Sequence, residues 1–390
     1  MALQDTDLFV VERDDTNYKL TYETLKTDIG AITPEPGEAT IAQPSVLTPP
    51  DGAGIGGEVT YTPETSAITG VTNTVGYDLF STTLYTGDGV SPRNLVTGID
   101  NTVKSLVWIK NRQAADNNVL FDSLRNNGIN FLYSNTSGSE TVGPTSYMLG
   151  FNSDGVTLGD GGATNTAAGQ DYVAWNFKAD PGFFDIVTYE GTNATQEIPH
   201  QLSSTPGLII TKNMDAGDPW TVYHKDTGAN QWLYLNESNA ASQGTGAWNN
   251  TNPTSTHFTL GDSGINNRDS NTHVAYLFAD TPGLIKCGGF TGTGTQTVEV
   301  GFAPGWVLYK YVDGEQDWIV FDNSRGTNSL RPNLDAAESD SPNWQFTSNG
   351  FTGSFSAGEY IYVAIAEDAS SVPDTQLTLT DSKTYNNADG

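Results

Sequence analysis

Cysteine is almost missing from this chain: Cys287 is the only one in 390 residues. A lone thiol closes no intramolecular disulfide and builds no thiolate metal cluster, which excludes a disulfide-stapled scaffold and a zinc-finger-type site. Cations are scarce as well, with 17 Lys and Arg against 46 Asp and Glu and a formal net charge of −29. Nucleic acid and anionic lipid head groups repel such a chain, so no nucleic-acid partner is expected. The acids are spread along the sequence, which suits high ionic strength, where screening weakens self-repulsion. No run approaches the 18 apolar residues of a membrane-spanning helix, and no basic region followed by an apolar stretch opens the chain. Neither membrane insertion nor a signal peptide is therefore expected.

What is abundant points to strands. There are 42 glycines, many Thr, Asn and Ser, and 8 Trp, 17 Tyr and 16 Phe that can fill cores. Apolar segments of four to seven residues, rich in Val, Ile, Tyr, Phe and Trp, are bounded by Gly, Asn, Asp and Pro. These segments recur. LVWIKN (106–111), LIITKN (208–213) and WVLYKY (306–311) align with Lys110, Lys212 and Lys310 in register. NVLFDSLR (118–125), WTVYHKDT (220–227) and WIVFDNSR (318–325) follow at offsets of 102 and 98. YVAW, HVAY and YVAI place Ala174, Ala275 and Ala364 together, and YTGDG, YEGTN and FTGTG open the three units.

The expected fold is all-β: three tandem antiparallel β-sandwich repeats, jelly-roll-like or Ig-like, at 83–184, 185–285 and 286–372. LVWIK and its equivalents are apolar on both faces, which predicts central strands covered on both sides. A propeller, with shorter and more numerous blades, is the second choice. Before the repeats, 1–30 reads as a strand, a polar turn near Asp15-Thr16-Asn17, a strand and a short helix with Thr21 as N-cap. Residues 31–82 form a Pro/Gly/Thr-rich linker, and 373–390 a polar tail in which TQLTLT alternates like an edge strand.

Sites for chemistry are few. No phosphate-binding Gly-x-x-x-x-Gly-Lys-Ser/Thr loop and no Gly-x-Ser-x-Gly elbow occurs. His200, His224, His257 and His273 all fall in the second repeat, yet none has metal-ligand spacing. His224 aligns with Asp122 and Asp322, and His273 with Tyr172 and Tyr362. The acidic loops GDGVS, LGDGG and LGDSGINNRDSN could offer calcium oxygens but lack a twelve-residue calcium loop, and read as turns. No acid pair stands out among 46 acids for glycoside hydrolysis. No catalytic residue, cofactor or metal is expected. The lysines and the Asp122/Arg125 and Asp322/Arg325 pairs read as strand-end and turn contacts. Trp232, Trp248 and Trp344 lie near loops and are the candidate glycan-contacting rings, against the reading that they fill cores.

Taken together, the YTGDG, GFAPGWVLYK, LFDSLR, SDGVTLG, DYVAWNFKAD and HVAYLFADTPGLIKCGGFTG phrases resemble a tandem β-repeat of virion structural proteins of tailed bacteriophages, notably marine cyanophages. The third repeat departs most, lacking the full SDGFTLG phrase. The resemblance implies a non-enzymatic tail fibre or appendage protein on the virion exterior, made in the host cytoplasm. Its implied partners are itself, as a homotrimer, other tail or capsid proteins, and a host-surface glycan. A carbohydrate-binding adhesin is the alternative, and a polysaccharide depolymerase stands third. In the N-terminal module, Leu8, Val10, Leu20, Tyr22 and Leu25 are the apolar positions expected to dock on a virion partner or to trimerise against the module's own copies.

Overall fold

Strand-forming runs separated by Gly, Asn and Pro become antiparallel ladders wherever the computed structural model describes the chain, at residues 8–13, 16–21, 78–143, 146–166 and 169–370. The chain divides into two units, one holding residues 1–75 and 373–390 and the other residues 76–372. In the first unit, β1 (Leu8–Arg13) pairs antiparallel with β2 (Thr16–Thr21). The second strand already begins at Thr16, inside the expected turn. The register sets Phe9 opposite Leu20 and Val11 opposite Tyr18, so these four positions share one face of the ribbon. Leu8 and Val10 fall on the other face, opposite Thr21 and Lys19. Of the expected docking positions, Leu8, Val10 and Leu20 lie on these two strands. Tyr22, Leu25 and the expected helix lie outside the described residues.

The second unit holds the three repeats, and each is built on one plan. In the first, β3 (Phe80–Thr86), β5 (Ser105–Asn111), β6 (Val119–Asp122), β7 (Phe131–Tyr133) and β10 (Asp171–Lys178) form a sheet of order β3-β10-β5-β6-β7. Strands β4 (Arg93–Val96), β8 (Met148–Asn152) and β9 (Gly155–Leu158) make the smaller outer layer. The second repeat runs β11 (Phe184–Glu190), β13 (Leu208–Asn213), β14 (Thr221–His224), β15 (Gln231–Tyr234), β16 (Ser242–Gln243) and β18 (Thr272–Phe278) in the order β11-β18-β13-β14-β15-β16. Strands β12 (Gln196–Pro199) and β17 (His257–Leu260) lie outside it.

The third repeat fuses the two layers. β19 (Ile285–Glu299) and β25 (Gly350–Ala366) each run through both, their pairing irregular between Gly292 and Gly294. With β20 (Pro304–Tyr311) and β21 (Ile319–Asp322) they give the order β19-β25-β20-β21, while the short strands β22 (Asn328–Ser329) and β23 (Ser339–Asp340) pair with each other and β24 (Gln345–Thr347) pairs with β25. The first two repeats interrupt this path with one-turn helices, α1 (Gly162–Asn165) and α2 (Gly264–Asn267), just before the last strand. The fold class is the expected all-β sandwich. Lys110, Lys212 and Lys310 sit on equivalent strands, β5, β13 and β20, each flanked by its repeat's last strand.

The sheets do not stand apart as successive beads. Every residue of β5 is buried, and its two faces serve different cores. Val107 and Ile109 face the outer layer of their own repeat, whereas Leu106 and Trp108 join a cluster drawn from all three repeats. That shared core takes Val173, Trp175 and Phe177 from β10, Tyr276 and Phe278 from β18, and Trp306 and Leu308 from β20. Trp175, Phe177 and Trp306 meet edge to face, at centroid separations of 6.4 and 5.7 Å. The doubly apolar strands read from the sequence therefore have cover on both sides because one face belongs to the repeat and the other to the assembly of three.

Candidate functional site

The repeats are joined by contacts that go around a closed cycle, each made at equivalent positions. The first set comes from 118, 220 and 318, the residues before the β6, β14 and β21 strands. Asn118 Nδ2 donates to Leu334 O (2.7 Å), Trp220 Nε1 to Tyr133 O and Trp318 Nε1 to Tyr234 O (both 2.9 Å). Each repeat thus binds the one before it, and the first binds the third. In the second set the amides of Glu140, Ala241 and Glu338 donate to the carbonyls of Met214, Val312 and Arg112, at 2.7, 3.0 and 2.8 Å. The accepting positions 112, 214 and 312 keep the same offsets of 102 and 98. Each repeat here binds the next, and the third returns to the first.

The third set is the Asp/His/Asp position. Tyr276 Oη donates to Asp122 at 2.6 Å, and Trp175 Nε1 donates to Asp322 at 2.9 Å. His224 Nδ1 accepts the Asp226 amide, so Nε2 carries the proton and donates to Tyr362 O at 3.2 Å. Both aspartates are fully buried beside buried Arg125 and Arg325, whose Nε atoms reach them at 2.5 and 2.7 Å. A buried carboxylate is tolerable only with such partners. Where His224 replaces the aspartate, Thr227 replaces the arginine, and burial holds the imidazole down to about 4, hence neutral. His273 is lowered to about 4 by burial as well, its ring stacked on Tyr189 at 5.0 Å.

The aligned lysines brace loops. Each side chain is buried, and each Nζ donates to the carbonyl of the next residue and to one four residues on: Asn111 and Ala114, Asn213 and Ala216, Tyr311 and Gly314. Lys110 also reaches Asp335 O of the third repeat at 3.0 Å. Burial lowers all three ammonium groups to about 8. Asn111 and Asn213 add bonds of 2.7 Å to Asp116 and Asp218 within the same loops. The strand-end and turn roles expected for these groups are what the geometry displays.

The three candidate glycan-contacting tryptophans do not come together. Trp248 is 1% exposed, packed edge-on against Tyr223 and Phe258, and has no ring face for a sugar; that expectation is corrected. Trp344 is 4% exposed and lies flat on Phe321 at 3.8 Å and near Phe351 at 4.9 Å, so it too is a core ring. It borders a cleft of about 190 Å³ shared with Tyr309, Ser341 and Asn343. Trp232 is half-buried against the shared core. A larger groove of about 310 Å³ lies between the first and second repeats, lined by Lys104, Leu124, β11, His200 and Gln201. Its polar groups are engaged: Asp185 takes Lys104 Nζ at 2.8 Å and the Gln201 amide at 2.7 Å. His200 sits between Thr254 O and the Leu202 amide. Among the described residues no three His, Cys, Asp or Glu side chains are grouped to hold a metal ion. No described helix is long and apolar enough to cross a membrane.

Sequence reading aligned 118, 220 and 318 but missed that they reach across repeats. The signal was there in part: tryptophan at two equivalent strand starts has an indole N–H that must find an acceptor when buried.

Sheet order and cyclic contacts together define an all-β domain of three sandwich repeats closed upon themselves. The family model for a domain of unknown function (DUF7483) matches residues 76–369, and the chain belongs to that family. A search of curated proteins gave no match.

Proposed function

We propose that this chain is a structural component of the exterior of a bacteriophage particle, a tail fibre or appendage protein that displays its three-repeat body. The observation that carries the reading is the closed cycle. The buried Asp122, Asp322, Arg125, Arg325, His224 and the three lysines are spent on holding repeats and loops in place. Such an investment in shape suits a part that must persist outside a cell. The phage resemblance of the repeat phrases supplies the particle. A carbohydrate-binding role finds less support, since no Trp, Tyr or Phe is exposed among the described residues of the repeats. Self-association as a homotrimer remains a proposal for the segments outside the repeats, because the cycle already satisfies its threefold contacts within one chain.

The test is to image purified particles with a label on this chain and to identify it among the particle's proteins. Label on an exterior projection supports the reading, and absence of the chain from particles overturns it. A chain starting near residue 60 should fold yet fail to join particles; normal incorporation would move the attachment from the N-terminal module to the repeats.

A further inference from the structure

The first strand of each repeat is a sheet edge: β3, β11 and β19 pair with their repeat's last strand on one side and with no other described strand on the second. Their bonds make them equivalent. Leu79, Phe183 and Leu284, at the start of each strand, accept the amides of Lys178, Ala279 and Ala366 at 2.8, 2.9 and 2.9 Å. Peptide groups along an antiparallel strand turn alternately toward and away from the paired neighbour. Three residues on, those of Thr82, Ile186 and Cys287 therefore point away from the sheet. At the far end of β3 the Gly87 amide donates to Gln170 O at 2.8 Å, in keeping with that alternation.

Two of the three edges are capped by carboxylates. Asp185 Oδ1 accepts the Ile186 amide at 2.9 Å, and Asp280 Oδ1 accepts the Cys287 amide at 3.2 Å. On β3 the cap is missing: Ser81 stands where β11 has Asp185, and the outward amides of Thr82 and Leu84 meet no acceptor in the chain. The Ser81 and Thr82 hydroxyls are also without a partner, and Leu84 is 38% exposed. The uncapped window is short. Arg93 donates to Thr86 O at 2.7 Å on one side of it, and the Asp78–Ser370 bridge, where the third repeat returns to the first, closes the other. An edge left with unpaired peptide groups is a template for a further strand.

We propose that β3 pairs antiparallel with β3 of a second copy of this chain, about a two-fold axis at Thr83, joining two five-stranded sheets into one. The strand is its own complement. Thr82 then lies opposite Leu84 of the copy, and the two exchange both of their outward bonds. Charge singles out this edge for self-pairing. A chain of net charge −29 repels its copy over most of its surface, but FSTTLYT carries no charge, whereas β11 brings Asp185 and Glu190 to its edge strand and β19 brings Lys286 and Glu299. The pairing goes beyond the virion reading and does not depend on it.

Cys287 is fully buried, so an introduced thiol is the accessible one. At the axis, Thr83 faces Thr83 of the copy as a non-hydrogen-bonded pair, with Cα atoms about 4.5 Å apart, within disulfide reach. Full-length Thr83→Cys and Val187→Cys, the equivalent half-buried position on β11, are oxidised with diamide and run on non-reducing gels. The expected result is a disulfide-linked dimer from Thr83→Cys, none from Val187→Cys, and loss of the link when Leu84→Lys is added to Thr83→Cys. In sedimentation the unmodified chain should show twice the mass of the Leu84→Lys variant. A Thr83→Cys chain that stays unlinked, equal linking at Val187→Cys, or an equal mass for the Leu84→Lys variant overturns the proposal, whatever the chain's place on a particle.

Discussion

Replacing Asp322 by alanine tests whether three repeats behave as one body. Asp322 is fully buried and accepts from Arg325 Nε at 2.7 Å, from the Arg325 amide at 3.0 Å and from Trp175 Nε1 of the first repeat at 2.9 Å. The variant leaves a buried guanidinium with only Glu338 at 3.6 Å as counter-charge and orphans a buried indole N–H. Breaking one side of a buried ion pair costs about 3–5 kcal/mol, and the lost indole bond is contained in that figure. The consequence depends on the size of the cooperative unit. If residues 76–372 unfold together, an entropy of about 2.1 cal/mol/K per residue gives roughly 0.6 kcal/mol/K, so a loss of 4 kcal/mol lowers Tm by about 6–7 °C in a single transition. If the third repeat melted alone, the same loss over about a third of the residues would shift its Tm by about 20 °C, with the other two unchanged. Calorimetry separates these outcomes, and hydrogen exchange at β10 and β18 shows whether the neighbours loosen with it. A split transition with only β19–β25 exposed would refute the shared-core account. The paired change Asp322→Leu with Arg325→Met should recover most of the loss, because it removes both buried charges at once.

Three further outcomes follow from the same contacts. Trp220→Phe and Trp318→Phe should each cost about 1–2 kcal/mol in chemical denaturation and by similar amounts, since each removes one cross-repeat bond to a carbonyl. His224 and His273 have folded values near 4 against 6.5, so below pH 6.5 the unfolded chain binds more protons and stability falls as pH drops toward 4. The loss is roughly 2–3 kcal/mol for each histidine; His273→Tyr, the residue present at Tyr172 and Tyr362, should flatten that pH dependence by about one proton in a urea-melt series. Lys212→Met should keep the fold but leave the Asn213 and Ala216 carbonyls without their donor, read as faster amide exchange across residues 213–218 than in the native chain.

Lys110, Lys212 and Lys310 were aligned by sequence alone and fell on equivalent strands. The all-β class, the repeat spacing and the two-faced burial of LVWIK were likewise legible, because strand punctuation and side-chain alternation are local properties. The positions of Trp248 and Trp344 were not, since a tryptophan near a loop looks the same in sequence whether its ring meets solvent or Phe258 and Phe321. The cycle itself was beyond the sequence. Asn118 meets Leu334 across 216 residues and Tyr276 meets Asp122 across 154, and nothing local announces such partners. The sequence determined three similar sandwiches with an apolar face to spare. Only the tertiary structure decided that those spare faces would bury one another, closing the third junction through Asp78 and Ser370 rather than leaving three beads on a string.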